Sequence, residues 1–355
     1  MKILHSADWH LDAPLVGWNP EQTAFLKENL MAVPGKLADL CRRENCDLVL
    51  LSGDLFDGAY SKAAFRAVYN ALAEMAVPVF ITPGNHDFCQ MGSPYLTEIW
   101  PENVHIFTQS AMQSVSLPAL DCRIYGAGYR GMDCPGLLEG FSAQGDEHYH
   151  IAVLHGDPTQ KNSPYCPITD AQIKKSGLDY LALGHIHKAA HYRCGGTVYG
   201  WPGCPMGKGY DELEEKGAYI VNIANGVQVQ SVSLNVPQFH DWTVAAGHDA
   251  LASLNTVLPA VESMDFYRIT LTGESAGVDL PGLYAALSRF PNLELRDRTV
   301  PETDIWGNAG EDTLEGLYFG LLKQQLDGAD EETAQALTLA ARISRQILDN
   351  QEVAL

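Results

Sequence analysis

The sequence predicts an α/β protein with a larger domain over residues 1–238 and a smaller α+β domain over residues 239–355. Three observations carry that expectation. Short apolar runs of strand length alternate with helical patterns through the first two thirds of the chain. Five of those runs stop at a polar cluster containing His, Asp or Asn, the place where α/β sheets gather ligands beyond the carboxyl ends of their strands. Near residue 235 both the pattern and the charge balance change.

In chain order, "KILHSA" (2–7), "DLVLLS" (47–52), "PVFITP" (78–83), "HIAVLH" (150–155) and "YLALGH" (180–185) are mostly apolar, as strands covered on both faces are. Residues 21–45 and 61–76 carry helical patterns. Pro34 is expected to interrupt or kink the first, because its ring clashes with the preceding turn and it has no N–H to donate. Between 188 and 235, "AAHYRC", "GTVYGW", "KGAYIVNI" and "VQVQSVSL" read as short strands separated by glycine-rich turns, expected to build a second sheet packed on the first. "NVPQFHDW" (235–242) reads as a boundary. Beyond it, "DFYRITLTG" (265–273), a helix near 281–289 and "NLELRDRTV" (292–300) suggest a small β-α-β unit. Helices at about 311–327 and 331–349 complete the pattern. The second places Leu337, Ala340, Ala341, Ile347 and Leu348 roughly on one face, a stripe suited to its own domain or to a partner.

With 355 residues, 46% of them hydrophobic and 19% charged, the chain reads as an ordinary globular protein. No apolar stretch approaches the roughly 20 residues that span a bilayer, so no membrane association is expected. "MKILHSADWH" meets polar residues too early for a signal peptide, and the 8 cysteines contain no C-x-x-C pair. Reduced thiols in a cytoplasmic protein are the expectation. The net charge is −21, with 16 basic and 25 acidic residues up to position 235 and 7 and 19 beyond it. That balance argues against broad, independent binding to a phosphate backbone. It leaves room for phosphate chemistry carried by divalent cations, which are often the largest local charges in a site.

The five polar clusters are "ADWHLD" (7–12), "SGDLFDG" (52–58), "PGNHDF" (83–88), "LHGD" (154–157) and "LGHIH" (183–187). A lone G-H-x-H is more often a pair of core histidines than a site. Five clusters in one chain, each just after an apolar run, reverse that preference. They supply Asp8, His10, Asp54, Asn85, His155, His185 and His187, with His86 beside them. Imidazole and oxygen donors without a thiolate suit Mn²⁺, Fe²⁺ or Zn²⁺. Seven ligands exceed what one ion can use while also holding water and substrate. Two ions sharing a bridging carboxylate, roughly 3.5–4 Å apart, use them well and can clamp a phosphoryl group. Alternation along the strand turns His150 away from His155, and the same alternation is expected to bring His185 and His187 to one face. His5, His105, His148, His191, His240 and His248 read as core or surface residues. Tyr95 and Tyr165 each follow a proline in loops near the site and are candidates for stacking on a base or for packing. Lys208 is a candidate phosphate contact.

In this order, D-x-H, G-D-x-x-D, G-N-H-D, H-G and G-H-x-H resemble the calcineurin-like metallophosphoesterase superfamily over residues 1–235. "HSADWHLDAP", "GDLFDG", "GNHDFCQMGSPY", "YCPITDAQIKKSGLDYLALGHIHKA" and "WPGCPMGKGYDELEEKGAYIVNI" resemble its SbcD and YhaO group of DNA-repair exonucleases. Protein phosphatases of the superfamily usually carry G-N-H-E and G-D-x-x-D-R-G. Here Asp87 follows His86 and Gly58 follows Asp57, which points away from phosphomonoester work on proteins.

The resemblance implies a four-layer αββα sandwich as catalytic domain (1–238), with residues 239–355 capping it or binding a partner. It implies that Asp8, His10, Asp54 and His187 hold one metal ion and that Asp54, Asn85, His155 and His185 hold the other, with Mn²⁺ preferred and Fe²⁺ or Zn²⁺ as alternatives. Metal-bound hydroxide would attack phosphorus in line, with no covalent enzyme intermediate. His86 would protonate the leaving oxygen, Asp57 would orient His86 or else cap a turn, and Asp87 would be structural. The implied partners are DNA, bound weakly by this chain alone, and an SbcC-like ATPase; a homodimer is compatible with the sequence. Two alternatives remain. One is a phosphodiesterase for a small nucleotide or another small phosphodiester. The other is a non-catalytic scaffold with a vestigial site, which the complete ligand set disfavours.

Overall fold

The strands form where the apolar runs predict them, but they divide between two sheets. A computed structural model describes residues 1–213, 215–302 and 304–349. β1 (Lys2–Ser6), α1 (Pro20–Glu44), β2 (Leu48–Leu51), α2 (Lys62–Met75), β3 (Val79–Ile81), α3 (Pro94–Thr97) and β4 (Val104–Ile106) come first. β5 (Gln113–Leu117), β6 (Cys122–Gly126), β7 (Tyr149–His155), α4 (Asp170–Lys175) and β8 (Tyr180–Gly184) follow. β9 (Ala190–Cys194), β10 (Thr197–Trp201), β11 (Gly217–Ala224) and β12 (Gly226–Ser233) come next. One sheet has the order β12-β11-β1-β2-β3-β4 and the other β5-β6-β7-β8-β10-β9.

Of the four late strands expected to enter the second sheet, two do and two do not. β10 lies parallel to β8 and antiparallel to β9, extending the second sheet. β11 lies antiparallel to both β1 and β12, extending the first. The burial patterns agree with this. β11, between β1 and β12, is buried along nearly its whole length, whereas β12 is largely exposed and lies at the edge.

Alternation along the strands assigns each side chain to a layer. Ile3, Leu48, Leu50 and Phe80 of the first sheet meet Ile124, Ile151, Val153 and Tyr180 of the second. Leu4, Val49, Leu51 and Val79 face the other way, against Leu30, Val33 and Leu37 of α1 and Val68 and Leu72 of α2. The outer face of the second sheet, with Ala152, Leu181 and Leu183, is covered by Leu137, Leu138 and Ile173. The result is the α-β-β-α layering expected. The predicted interruption of α1 does not occur: the helix runs from a capping box between Asn19 and Gln22 through the buried Pro34 to a left-handed Asn45.

The chain separates into two compact units, one comprising 1–241 with 264–267, the other the rest of the described residues. The later elements are β13 (Phe239–Ala245), α5 (Ala250–Val257), β14 (Phe266–Thr272), β15 (Glu274–Ser275), α6 (Leu280–Ala286), β16 (Leu293–Asp297), β17 (Val300–Pro301), α7 (Leu314–Leu326) and α8 (Glu331–Leu348). β13, β14 and β16 make a three-stranded sheet, and β15 pairs with β17. In the α7–α8 hairpin, Phe319 and Ala341 pack with Ile305. The buried Arg345 guanidinium pairs with Glu315, bonds Asn308 and lies 4.2 Å from the centre of the Phe319 ring. The stripe predicted on α8 is not a single buried face, since only Ala341 of its residues is buried and Ile347 and Leu348 are exposed. No described helix is long and apolar enough to cross a membrane.

Candidate active site

The loops that follow β1, β2 and β3 are stitched together before any side chain is considered. Asp8 N donates to Gly53 O at 3.0 Å, His10 N to Asp54 O at 2.9 Å and Leu11 N to Leu55 O at 3.0 Å. Asp87 ties the second of these loops to the third. Its buried carboxylate accepts from Leu55 N (2.7 Å), Phe56 N (3.2 Å), Gly84 N (2.7 Å) and the Tyr95 hydroxyl (2.5 Å). Burial and the nearby Asp54 raise the Asp87 carboxyl above its ordinary range, and the donors around it work against that rise. Tyr95 is buried with its hydroxyl committed to Asp87, so it packs and does not stack on a base. Gly84 makes the approach possible, because a Cβ there would fall on Asp54 Oδ1.

Asp8, His10, Asp54 and His185 all have positive φ, at 56°, 47°, 53° and 94°. For residues with a Cβ this costs on the order of 1 kcal/mol or more each, and such strain concentrates at functional sites. It also corrects the expected geometry of the two terminal histidines. β8 ends at Gly184, so His185 and His187 lie beyond it, and a left-handed turn at His185 separates their directions, not strand alternation. His185 Nδ1 lies 3.2 Å from Asn85 Oδ1, while His187 Nε2 lies 3.1 Å from His10 Nε2. The His185 backbone N–H donates to Asp8 Oδ1 at 2.9 Å.

Donor atoms of Asp8, His10 and His187 lie within 4.8 Å of one another, as do those of Asp8, Asp54 and His155, and those of His10, Asp54 and His86. His155 Nδ1 donates to Ser52 O at 2.8 Å, which turns Nε2 toward Asn85 Oδ1 (2.9 Å) and Asp54 Oδ2 (3.3 Å). The structure thus gathers all seven predicted ligand residues. Burial works against the charge of Asp54, but the neighbouring His155 and His10 prevail and hold its carboxyl below the usual range. Burial likewise opposes protonation of His155, yet Asp54 and Asp8 push its imidazole up to about 9. His185 goes the other way, lowered by burial and then by His155. The set fits divalent cations: two buried carboxylates and an amide oxygen converge with imidazole nitrogens that face one another, and a cation relieves that crowding of acceptors.

His86 stands at the rim, 48% exposed in its side chain, with Nδ1 donating to Asp57 Oδ1 at 2.5 Å. Its backbone N–H donates to Asp54 Oδ1 at 2.9 Å. The hydrogen bond from His10 lowers the Asp57 carboxyl against the effect of burial, with His86 adding to the shift. Asp57 therefore contacts two site imidazoles and is not merely a turn cap. Tyr165 is half-buried with its ring 4.8 Å from that of His185. His150 lies apart, bonded to the Tyr125 hydroxyl. His5 sits in the core, 2.8 Å from the Tyr180 hydroxyl, 2.7 Å from Ser52 Oγ and 3.1 Å from Leu183 O.

Glu212 joins the site without any signal in the sequence, where it is one of four acids in "DELEE". Its Oε1 accepts from His187 Nδ1 at 2.5 Å and its Oε2 from Lys208 N at 2.7 Å. Burial opposes its charge, but His187 and Lys208 hold the carboxyl well below its ordinary range. Lys208 Nζ lies 3.4 Å from Glu212 Oε1, so the lysine considered as a phosphate contact neutralises this carboxylate instead. Cys204 also lies within ligand distance of His187 and Glu212. Burial and then Glu212 push its thiol up to about 12.

Comparison with known proteins agrees with this chemistry. The family model for calcineurin-like phosphoesterases matches residues 1–189. The "Uncharacterized metallophosphoesterase YhaO" of Bacillus subtilis is 34% identical over 298 residues, covering 79% of this chain and 71% of that protein. A subunit of the SbcCD nuclease of Rhodobacter capsulatus is 38% identical over 98 residues, 25% of this chain and 22% of that one. The crystal structure of TT1561 of Thermus thermophilus covers 65% of this chain and 98% of its own, at a TM-score of 0.42 and 14% identity, a likeness too distant to bear on function. With its site assembled and more than half its length matched by the family model, the chain belongs to the calcineurin-like phosphoesterase family.

Proposed function

We propose that this protein is a two-metal phosphodiesterase that cleaves DNA as an exonuclease or endonuclease of the repair type. The observation that carries the reading is the His86–Asp57 pair, set at an exposed rim directly beside Asp54, with buried ligand groups on either side. In this reading Asp8, His10, Asp54 and His187 hold one ion, Asp54, Asn85, His155 and His185 hold the other, and Mn²⁺ is the preferred metal. The ions, when bound, supply the positive charge that activates water and neutralises the phosphoryl oxygens. Asp57 accepts a hydrogen bond from His86 Nδ1–H and so favours the doubly protonated ring, whose Nε2–H would pass to the leaving oxygen and leave a neutral imidazole. The Asp54 carboxylate, accepting from the His86 backbone, holds that imidazole in register with both ligand groups.

DNA is favoured by the likeness to a nuclease component, and the net charge of −21 implies that DNA engagement comes from a partner. An SbcC-like ATPase fits that role, with residues 239–355 capping the catalytic domain or docking the partner, in the cytoplasm. One observation favours a second reading: a small phosphodiester needs no basic footprint, and a chain with 23 basic against 44 acidic residues is poorly supplied for one. A manganese-supplemented assay comparing linear duplex DNA, single-stranded DNA, cyclic nucleotides and a chromogenic phosphodiester decides between them. The expected result is DNA cleavage together with weak duplex binding by the chain alone. Turnover of cyclic nucleotides with intact DNA would establish the second reading in its place.

A further inference from the structure

The stretch "WPGCPMGKGYDEL" (201–213) contains none of the residues assigned to the reaction, yet it surrounds His187. The His187 carbonyl accepts from Cys204 N at 3.3 Å and from Lys216 Nζ at 3.3 Å. Glu212, only 7% exposed, meets the imidazole edge of the same residue at 2.5 Å. The other oxygen of that carboxylate is fixed by Lys208 N at 2.7 Å, so the side chain is held from behind and not free to turn.

We infer that Glu212 is a positioning residue of the metal centre: it accepts a hydrogen bond from His187 Nδ1–H, fixes that tautomer, and so turns a lone pair at Nε2 toward His10 and Asp8. A carboxylate oxygen only accepts, so the proton between the two residues belongs to Nδ1, and Nε2 of the neutral ring is left as a ligand atom. His187 depends on this brace because it stands beyond the end of β8, where no ladder bond orients it. His155 has an equivalent brace in Ser52 O, and His10 has one in Asp57, 3.4 Å from its Nδ1. Glu212 is the brace that comes from a segment carrying none of the seven candidate ligand residues, and through Lys208 it links that segment to the site. Partners of this kind raise ligand basicity and hold ring orientation, and their loss typically weakens metal binding by about 10- to 100-fold.

The inference rests on the two-metal reading, and the test separates the two. Mn²⁺ titration by calorimetry on the full metal-free chain should show two ions in the wild type. In Glu212→Ala, one should bind with unchanged affinity and the other about 10- to 100-fold more weakly. Lys208→Met, which spares the His187 contact, should bind both ions within about threefold of wild type. Fewer than two ions in the wild type would defeat the two-metal reading. Two ions in the wild type and two equally tight ions in Glu212→Ala would defeat the role of Glu212. A second measurement needs no Glu212 variant. In the long-range ¹H–¹⁵N spectrum of the metal-free, histidine-labelled chain at pH 8, the His187 signal, assigned by its loss in His187→Gln, should report the Nδ1–H tautomer. An Nε2–H tautomer would overturn the inference.

Discussion

His86 and His5 show how the same side chain takes opposite roles from its surroundings. His86 is half-exposed, its Nδ1 is committed to Asp57, and its ring lies beside that of His10, with centroids 4.7 Å apart. It contributes its backbone, not its ring, to Asp54. His86→Ala should therefore lower phosphodiester turnover by about 10²- to 10⁴-fold, the range of a lost general acid. Its metal content should stay near two per chain by elemental analysis. Loss of metal in that variant would make His86 a ligand instead. His5 is buried, and burial lowers its imidazole from 6.5 to about 3. The folded chain thus resists a proton that the unfolded chain takes up below pH 6.5. The stability this neutral group permits is complete above 6.5 and is lost progressively as pH falls toward 3. From pH 7 to pH 5 the loss from this one group is about 2 kcal/mol. Urea unfolding of the metal-free protein should show that slope, and His5→Asn should flatten it. An unchanged slope in the variant would assign the acid sensitivity elsewhere.

At the scale of elements, the site depends on loops that brace one another, and Asp87 is the central brace. Removing its carboxylate leaves the N–H groups of Leu55, Phe56 and Gly84 and the Tyr95 hydroxyl without their acceptor. Asp87→Ala should cost about 3 kcal/mol in urea unfolding, the scale of a buried, charge-assisted bond and the donors it strands. A change below about 1 kcal/mol would mean that other groups fix these loops. The candidate ligand residues are legible in the sequence because His, Asp and Asn at the ends of apolar runs contrast sharply with what precedes them. The partition into two sheets was not, because a doubly covered strand such as β11 records that it has neighbours but not which ones. β5 escaped notice because "QSVSL" is mostly polar and half-exposed, and Glu212 because nothing local distinguishes it from the acids around it. The different partners of His185 and His187 were equally hidden. They depend on a backbone angle of 94° that the G-H-x-H spacing does not specify.

For the whole molecule, charge and chemistry point in different directions until metal ions are included. A chain of net charge −21 buries Asp8 and Asp54 together among imidazoles, a costly arrangement in isolation and a favourable one around divalent cations. The family model matches residues 1–189, the stretch that contains all seven candidate ligand residues, and the likeness to YhaO extends over 79% of the chain. The central claim is that these residues hold two ions, not one, and that turnover requires both. Calorimetric titration of the metal-free wild-type chain with Mn²⁺, followed in parallel by hydrolysis of a chromogenic phosphodiester, tests it most directly. The account predicts two ions per chain, with turnover appearing only as the second site fills. Saturation at one ion with full turnover, or hydrolysis that persists in the metal-free chain, would contradict it.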